Sequence, residues 1–320
     1  MYRIGIDLGG TNIAVGLVNE AFQIVDKDST PTLVSRPAEA LVDDMAMLCQ
    51  RLCERNGLTS ADIASVGIAA PGIVDDESGR IIYANNLSNV NNFPILSLLK
   101  ERFPVPVMHI ENDANAAAWG EAIAGAAKGS KSSVMITLGT GVGGGIIDDG
   151  KVLKGFNSAA GELGHIVIEV DGRPCTCGRC GCWEAYSSAT GLINSTKEKL
   201  AECEREGRKT VMTEMVAKKG KVTGRTAFDG MRAGDAAATE VVEQYVKYLA
   251  SGLASMVNIF QPEVLSIGGG ISNEGQFLLD LVTPLVRKQV YGADFVPTTD
   301  IRIAQIKNDA GIIGAAVLGM

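Results

Sequence analysis

Three glycine clusters in the 320-residue chain stand directly after apolar runs. Gly9-Gly10-Thr11 follows Ile4-Gly5-Ile6-Asp7-Leu8, and Gly139-Thr140-Gly141-Val142-Gly143 follows Val134-Met135-Ile136-Thr137-Leu138. Gly268-Gly269-Gly270 follows Val264-Leu265-Ser266-Ile267. Without a Cβ, glycine lets backbone N–H groups approach an anion closely, and a phosphate needs such donors at short range. No Gly-Lys-Ser/Thr follows either of the first two clusters, so neither is a Walker loop. The residues after each read as strand, so neither opens a helix in the dinucleotide-binding arrangement. Asp7 ends the first strand, where a carboxylate either holds a hydrated Mg²⁺ near the phosphates or stabilises the turn.

A second constellation joins His165 to four of the seven cysteines, Cys175, Cys177, Cys180 and Cys182. Four cysteines within eight residues are too tight for a disulfide scaffold. One imidazole and three thiolates make a closed tetrahedral site of the structural zinc kind. The competing reading is a redox pair at Cys177 and Cys180. Spacing does not say which three cysteines bind, and four ligands from so short a span would all have to point inward. Cys49, Cys53 and Cys203 sit in helical patterns and read as small apolar residues.

Polar residues flank these elements. Asn112 and Asp113 lie at a strand-to-helix step, where Asn and Asp are favoured caps. Asp113 is also placed to take a proton from a substrate hydroxyl. Glu162 and Glu184 stand on either side of the cysteine block, as surface carboxylates or as site residues. Asn85, Asn86, Asn89, Asn91 and Asn92 form a polar loop fit to line a hydroxyl-rich pocket or simply to be a loop.

The elements that must hold these groups alternate between strand and helix. Strand, turn and strand run from Tyr2 to Val18, and a helix follows at Ala38 to Arg55, with Leu41, Met45, Leu48 and Leu52 on one face and Asn56-Gly57 as its stop. Ile63 to Ala70 and Pro104 to Ile110 read as strands, the second leading through Glu111-Asn112-Asp113 into an alanine-rich helix to Ala126. Val134 to Leu138 repeats the opening strand-to-glycine step, which implies a duplicated α/β lobe. A long amphipathic helix spans Ala236 to Phe260. Glu202 to Gly224 is highly charged and reads as an exposed helix end plus a loop. A last strand, Ile301 to Ile306, and a closing helix, Ala310 to Leu318, complete an α/β pattern.

Length favours two lobes, and 46% apolar residues supply a sizeable core. A formal charge of −8 argues against nucleic acid or an anionic membrane as partner. The N-terminus runs straight into a strand, with Asp7 where a signal peptide would continue its apolar core. No apolar run approaches the roughly 20 residues that span a bilayer. The expected location is cytoplasmic, where thiols stay reduced.

Taken together, these strings resemble the ROK family of sugar kinases, most closely its bacterial glucokinases. The resemblance rests on Asp7-Leu8-Gly9-Gly10-Thr11, Ala70-Pro71-Gly72, Glu111 to Asn115, Leu138 to Gly145, Gly161 to His165, Cys175 to Glu184 and Gly268 to Gly270. It implies an actin-like, ribonuclease H-like, two-lobed fold with a duplicated α/β domain. One lobe would be 1–118, joined by the C-terminal helix at 307–320. The larger lobe would be 119–306 with a zinc-binding insertion. The activity implied is ATP-dependent phosphorylation of glucose.

The resemblance also implies roles. Asp113 would be the general base. Gly72, Asn86, Asn112, Asp113, Glu162, His165 and Glu184 would bind the sugar. Asp7, Gly9, Gly10, Thr11, Asn12, Gly139, Thr140, Gly141, Gly143, Gly268, Gly269 and Gly270 would serve ATP and Mg²⁺. Zn²⁺ would be held by His165, Cys175, Cys177 and Cys182, leaving Cys180 a bystander. Many members place lysine where this chain has Asn12, so no cationic phosphate contact is expected there. A homodimer or homotetramer is implied. Kinases for N-acetylglucosamine, N-acetylmannosamine or fructose share the sugar-facing residues. Sugar-sensing repressors of this fold carry an N-terminal helix-turn-helix, for which a strand starting at residue 2 leaves no room.

Overall fold

The computed structural model describes residues 1–84 and 87–320. Two compact units emerge: Met1–Ser133 with Gly145–Gly161 and Gln305–Met320, and Val134–Gly144 with Glu162–Ala304.

In the first unit, β1 (Tyr2–Leu8) and β2 (Asn12–Val18) form an antiparallel hairpin around the first glycine cluster, and β3 (Ile24–Pro31) pairs with β2. β4 (Ile63–Ala70) adds in parallel to β1. A separate small hairpin follows, β5 (Ile73–Asp75) and β6 (Arg80–Tyr83). β7 (Val107–Asn112) then adds in parallel to β4, giving the order β3-β2-β1-β4-β7. This strand starts three residues later than its apolar run suggests. Pro104 and Pro106 have no N–H to give a ladder.

α1 (Ala38–Arg55) buries Leu41, Met45, Leu48 and Leu52 and stops at Asn56-Gly57, where Gly57 turns left-handed at φ +67°. With α2 (Ile95–Arg102) it covers the core that β1, β2 and β4 present. α3 (Asp113–Ala124) starts at Asp113, because Glu111 and Asn112 still belong to β7. The closing helix spans Ala310–Ala316. It packs so closely on β4 that a Cβ on Gly67 would lie 1.8 Å from the Ala315 carbonyl oxygen. The strand expected to reach Ile306 ends at Ile303, and the buried Glu121 carboxylate instead accepts the Gln305 and Ile306 N–H groups.

The second sheet repeats this plan. Its strands are β8 (Ser133–Leu138), β9 (Val142–Asp148), β10 (Lys151–Val152), β11 (Val264–Gly268) and β12 (Asp300–Ile303), in the order β10-β9-β8-β11-β12. Counting five strands in chain order, both sheets read 3-2-1-4-5, and each first hairpin holds a glycine cluster. Duplication is thus visible in topology as well as in the repeated strand-to-glycine step.

The remaining helices are α4 (Glu184–Ser187), α5 (Ala189–Glu206), α6 (Val211–Lys219), α7 (Thr226–Arg232), α8 (Ala236–Phe260) and α9 (Gln276–Arg287). α8 is capped by Asp235, whose carboxylate accepts the Ala238 N–H at 2.8 Å, and buries Val242, Tyr245, Leu249, Leu253 and Met256. α6 was not expected within the charged stretch. Thr210 caps its start and Gly220 its end, but only Met212 of its nine residues is buried, so it leaves no apolar period to read. Among the described residues, no helix is long and apolar enough to cross a membrane.

Candidate active site

In the first unit, the turn after β1 is closed by the Gly9 N–H donating to the Asn12 carbonyl at 3.0 Å. Gly10, Thr11 and Asn12 are exposed. Thr32, fully buried, braces the turn twice: its hydroxyl donates to the Gly9 carbonyl at 2.6 Å and its N–H to the Thr11 carbonyl at 2.9 Å. Sequence reasoning missed Thr32, which carries no local signal.

Asp7 ends β1 with its carboxylate against Gly311 of the closing helix. Burial, and then the charge of Asp113, push its pKa up to about 6. The two carboxylates are therefore within electrostatic reach of each other.

Asn112 caps α3, its Oδ1 accepting the Ala114 and Asn115 N–H groups at 2.9 and 3.2 Å. Its Nδ2 donates to the Gly72 carbonyl at 2.9 Å. The cap and the link to a second candidate residue are thus one arrangement. Asp113, first in the helix, is exposed. Gly72 sits at φ +86°, where a Cβ would fall 2.0 Å from the Tyr83 carbonyl oxygen, so only glycine fits.

The Asn86 candidate lies outside the described residues, as does Asn85. Of the other asparagines, Asn91 Oδ1 accepts the Ala84 N–H, Asn89 Nδ2 donates to the Arg36 carbonyl, and Asn92 Oδ1 accepts from Arg80 Nε.

In the second unit, Gly139 N–H donates to the Gly141 carbonyl at 3.0 Å, and α5 grips the same turn. Ala189 N–H donates to the Gly139 carbonyl at 2.8 Å, and the Thr190 hydroxyl to the Thr140 carbonyl at 2.8 Å. Gly143 continues into β9. The third cluster lies beside this turn: at Gly269, φ +82°, a Cβ would meet the Leu138 backbone at 2.6 Å. The two clusters therefore share one end of β8 and β11. Gly268 ends β11, and Gly270 faces open space.

Glu184 links this turn to the cysteine block. Its Oε2 accepts the Val142 N–H at 2.9 Å, and the Cys175 thiol donates to its Oε1 at 3.6 Å. The chain around it is clamped by Trp183, buried, whose Nε1 donates to the Tyr248 carbonyl on α8 at 3.1 Å.

One donor atom each from His165, Cys175, Cys177 and Cys182 lies within 4.8 Å of the other three. Cys175 Sγ stands 3.7 Å from His165 Nδ1, and Cys177 Sγ 3.6 Å from Cys182 Sγ. Ligands about 2.0–2.3 Å from a tetrahedral centre are separated by roughly 3.5–3.8 Å, so these spacings fit a four-coordinate ion. Cys180 is exposed and outside the group. Gly178 and Gly181, at φ +88° and +77°, turn the loop so that Cys182 reaches inward. The opposite ring nitrogen of His165, Nε2, faces Glu162 Oε2 at 4.0 Å.

A twice-repeated 3-2-1-4-5 sheet with a glycine hairpin at the head of each copy defines the actin-like, two-lobed sugar-kinase class. Within that class the chain belongs to the ROK family, whose profile matches residues 3–320. A glucokinase of Halalkalibacterium halodurans is 37% identical over 99% of this chain and 94% of its own length. The ROK family glucokinase from Streptomyces griseus, solved in complex with glucose and AMPPNP, superposes with a TM-score of 0.80 at 34% identity, covering 99% of both chains. ROK hexokinase from Thermus thermophilus does so with a TM-score of 0.80 at 32% identity, over 99% of this chain and 97% of its own.

Proposed function

We propose that the protein is an ATP-dependent glucose kinase, converting glucose and ATP to glucose 6-phosphate and ADP. The observation that carries the reading is similarity to glucokinases along nearly the whole of both chains. In this reading the glycine clusters, from Gly9 to Asn12, Gly139 to Gly143 and Gly268 to Gly270, bind the ATP phosphates through backbone N–H groups. Gly72, Asn86, Asn112, Glu162, His165 and Glu184 bind the sugar hydroxyls. The Asp113 carboxylate takes the proton of the 6-hydroxyl as O6 bonds to the γ-phosphorus and the bond to the β–γ bridging oxygen breaks. Its exposed place at the head of α3 supports that role.

Asp7 would hold Mg²⁺, which when bound offsets charge on the transferring phosphoryl group. A part-buried carboxylate with a second one in reach is a position that a divalent cation stabilises. Zn²⁺ would be held by His165 Nδ1, Cys175, Cys177 and Cys182, supported by the tetrahedral spacings above. Its role is structural: with Nδ1 on the metal, the tautomer is fixed and Nε2–H becomes a donor toward Glu162 or a sugar hydroxyl. By the same resemblance we read the protein as a cytoplasmic homodimer or homotetramer, which light scattering tests for assembly.

A coupled ADP-release assay over glucose, N-acetylglucosamine, N-acetylmannosamine and fructose decides the substrate. The highest kcat/KM is expected for glucose, and a higher value for another hexose would replace it. Asp113→Asn should keep glucose affinity within a few-fold and lose on the order of 10³-fold or more in kcat. Near-normal turnover in that variant would rule out the general-base role.

A further inference from the structure

One strongly buried carboxylate next to Asp113 has no part in the chemistry above. Glu111, 3% exposed, ends β7 beside Asn112. Its Oε1 accepts the Asn112 backbone N–H at 3.0 Å and the Asn115 Nδ2 at 3.2 Å. One oxygen thus holds the residue before Asp113 and the residue two beyond it. Oε2 has no aligned hydrogen bond among the described residues; what compensates its charge is the Lys154 ammonium, 2.6 Å away. Lys154 follows β10, in a segment fixed by the Ala160 N–H donating to the Lys154 carbonyl at 3.1 Å.

A carboxylate removed from water stays ionised only beside a cation. Without Lys154, the buried Glu111 carboxylate has no countercharge and is drawn toward solvent, which withdraws the acceptor that ties β7 to the first turn of α3. Asn112 would then be freed at its N–H while still responsible for the cap and for the Gly72 carbonyl.

We propose that Lys154 and Glu111 are a positioning pair, whose ion contact fixes the β7–α3 junction that aims Asp113. Its catalytic consequence rests on the kinase reading above, whereas its structural consequence does not. Neither residue need touch substrate, so what the pair controls is orientation.

The test compares Lys154→Met, Lys154→Arg and the uncharged pair Glu111→Gln/Lys154→Met with the unaltered protein. Two readouts are used: steady-state kinetics with ATP and glucose, and backbone amide exchange followed by mass spectrometry. For Lys154→Met we expect kcat to fall roughly 30-fold, with KM for ATP moving less than about threefold. Lys154→Arg should recover kcat to within about threefold, because the cation is restored. Exchange over residues 107–116 should quicken at least tenfold while that over β1 stays as it was. Should Lys154→Met fail to fold, the uncharged pair carries the same expectation, since it also lacks the ion contact while burying no lone charge. Full kcat, or unchanged exchange at 107–116, in a folded Lys154→Met or in the uncharged pair would overturn the proposal. A protein that phosphorylates none of the sugars would remove only the kinase reading, since the exchange comparison still decides whether the pair fixes the junction.

Discussion

The two glycine hairpins hold the same place in sheets of the same strand order, yet different groups brace them. The hairpin between β1 and β2 is held by a neutral contact, the buried Thr32 hydroxyl and N–H on the Gly9 and Thr11 carbonyls, with the carboxylate of Asp7 beneath it. The hairpin between β8 and β9 has a matching neutral pair, the Ala189 N–H and Thr190 hydroxyl on the Gly139 and Thr140 carbonyls, and adds a carboxylate, Glu184, which also reaches the cysteine block. Topology was copied, and the insertion carrying the cysteines then gave the second copy a brace that the first lacks. A turn braced by one threonine answers to local changes. A turn tied through Glu184 answers to whatever holds the Cys182-Trp183-Glu184 segment.

The largest effect should come from the metal block. Cys182→Ser is expected to reduce zinc from about one equivalent per chain and to cost at least hundredfold in activity. Amide exchange should rise in the second hairpin and stay unchanged in the first. A variant without zinc that kept full activity would break the comparison, because the second turn would then hold its place without the metal.

An intermediate effect belongs to Asp7. Its pKa in the folded state, about 6, stands above the ordinary 3.8, so folding favours its protonated form. The favourable contribution is complete below about pH 4 and is lost as pH rises through about 6. In the absence of divalent cations, Asp7→Asn should therefore gain stability over the parent as pH rises from 5 to 7.5, by about 1.4 kcal/mol for the one unit between pH 5 and the folded-state value. Urea unfolding in EDTA measures it. A constant difference between the two proteins across that range would show that Asp7 is not buried in its charged form.

The smallest effect is Thr32→Val, which removes one hydrogen bond and should cost about 1 kcal/mol. KM for ATP should rise a few-fold with exchange in the second hairpin unaltered, and Thr32→Ser should restore both. Equal loosening of the two hairpins would show that they are coupled rather than separately braced.

Wherever a pattern repeats within one element, the chain could be read directly. α1 and α8 fall where Leu41 to Leu52 and Val242 to Met256 put them, because a helix's buried stripe recurs every three or four residues. α6 escaped because a single buried side chain makes no stripe. β7 was read too early, because the apolar run passes through two prolines.

The site divides along the same line. Residue types and short spacings were enough to point to phosphate-binding turns, a proton acceptor and a tetrahedral metal site. They could not choose among four cysteines, since that choice depends on how the loop folds: Cys175, Cys177 and Cys182 gather with His165, and Cys180 stays outside the group. Nor could they find Thr32 on Gly9, Glu184 on Val142 or Lys154 on Glu111. These contacts join residues far apart in the chain, and nothing local in the sequence marks one partner for the other. The sequence by itself determined which chemical groups the protein carries and in which elements they sit. Only the tertiary structure decided which of them meet, because a meeting depends on how separate elements pack.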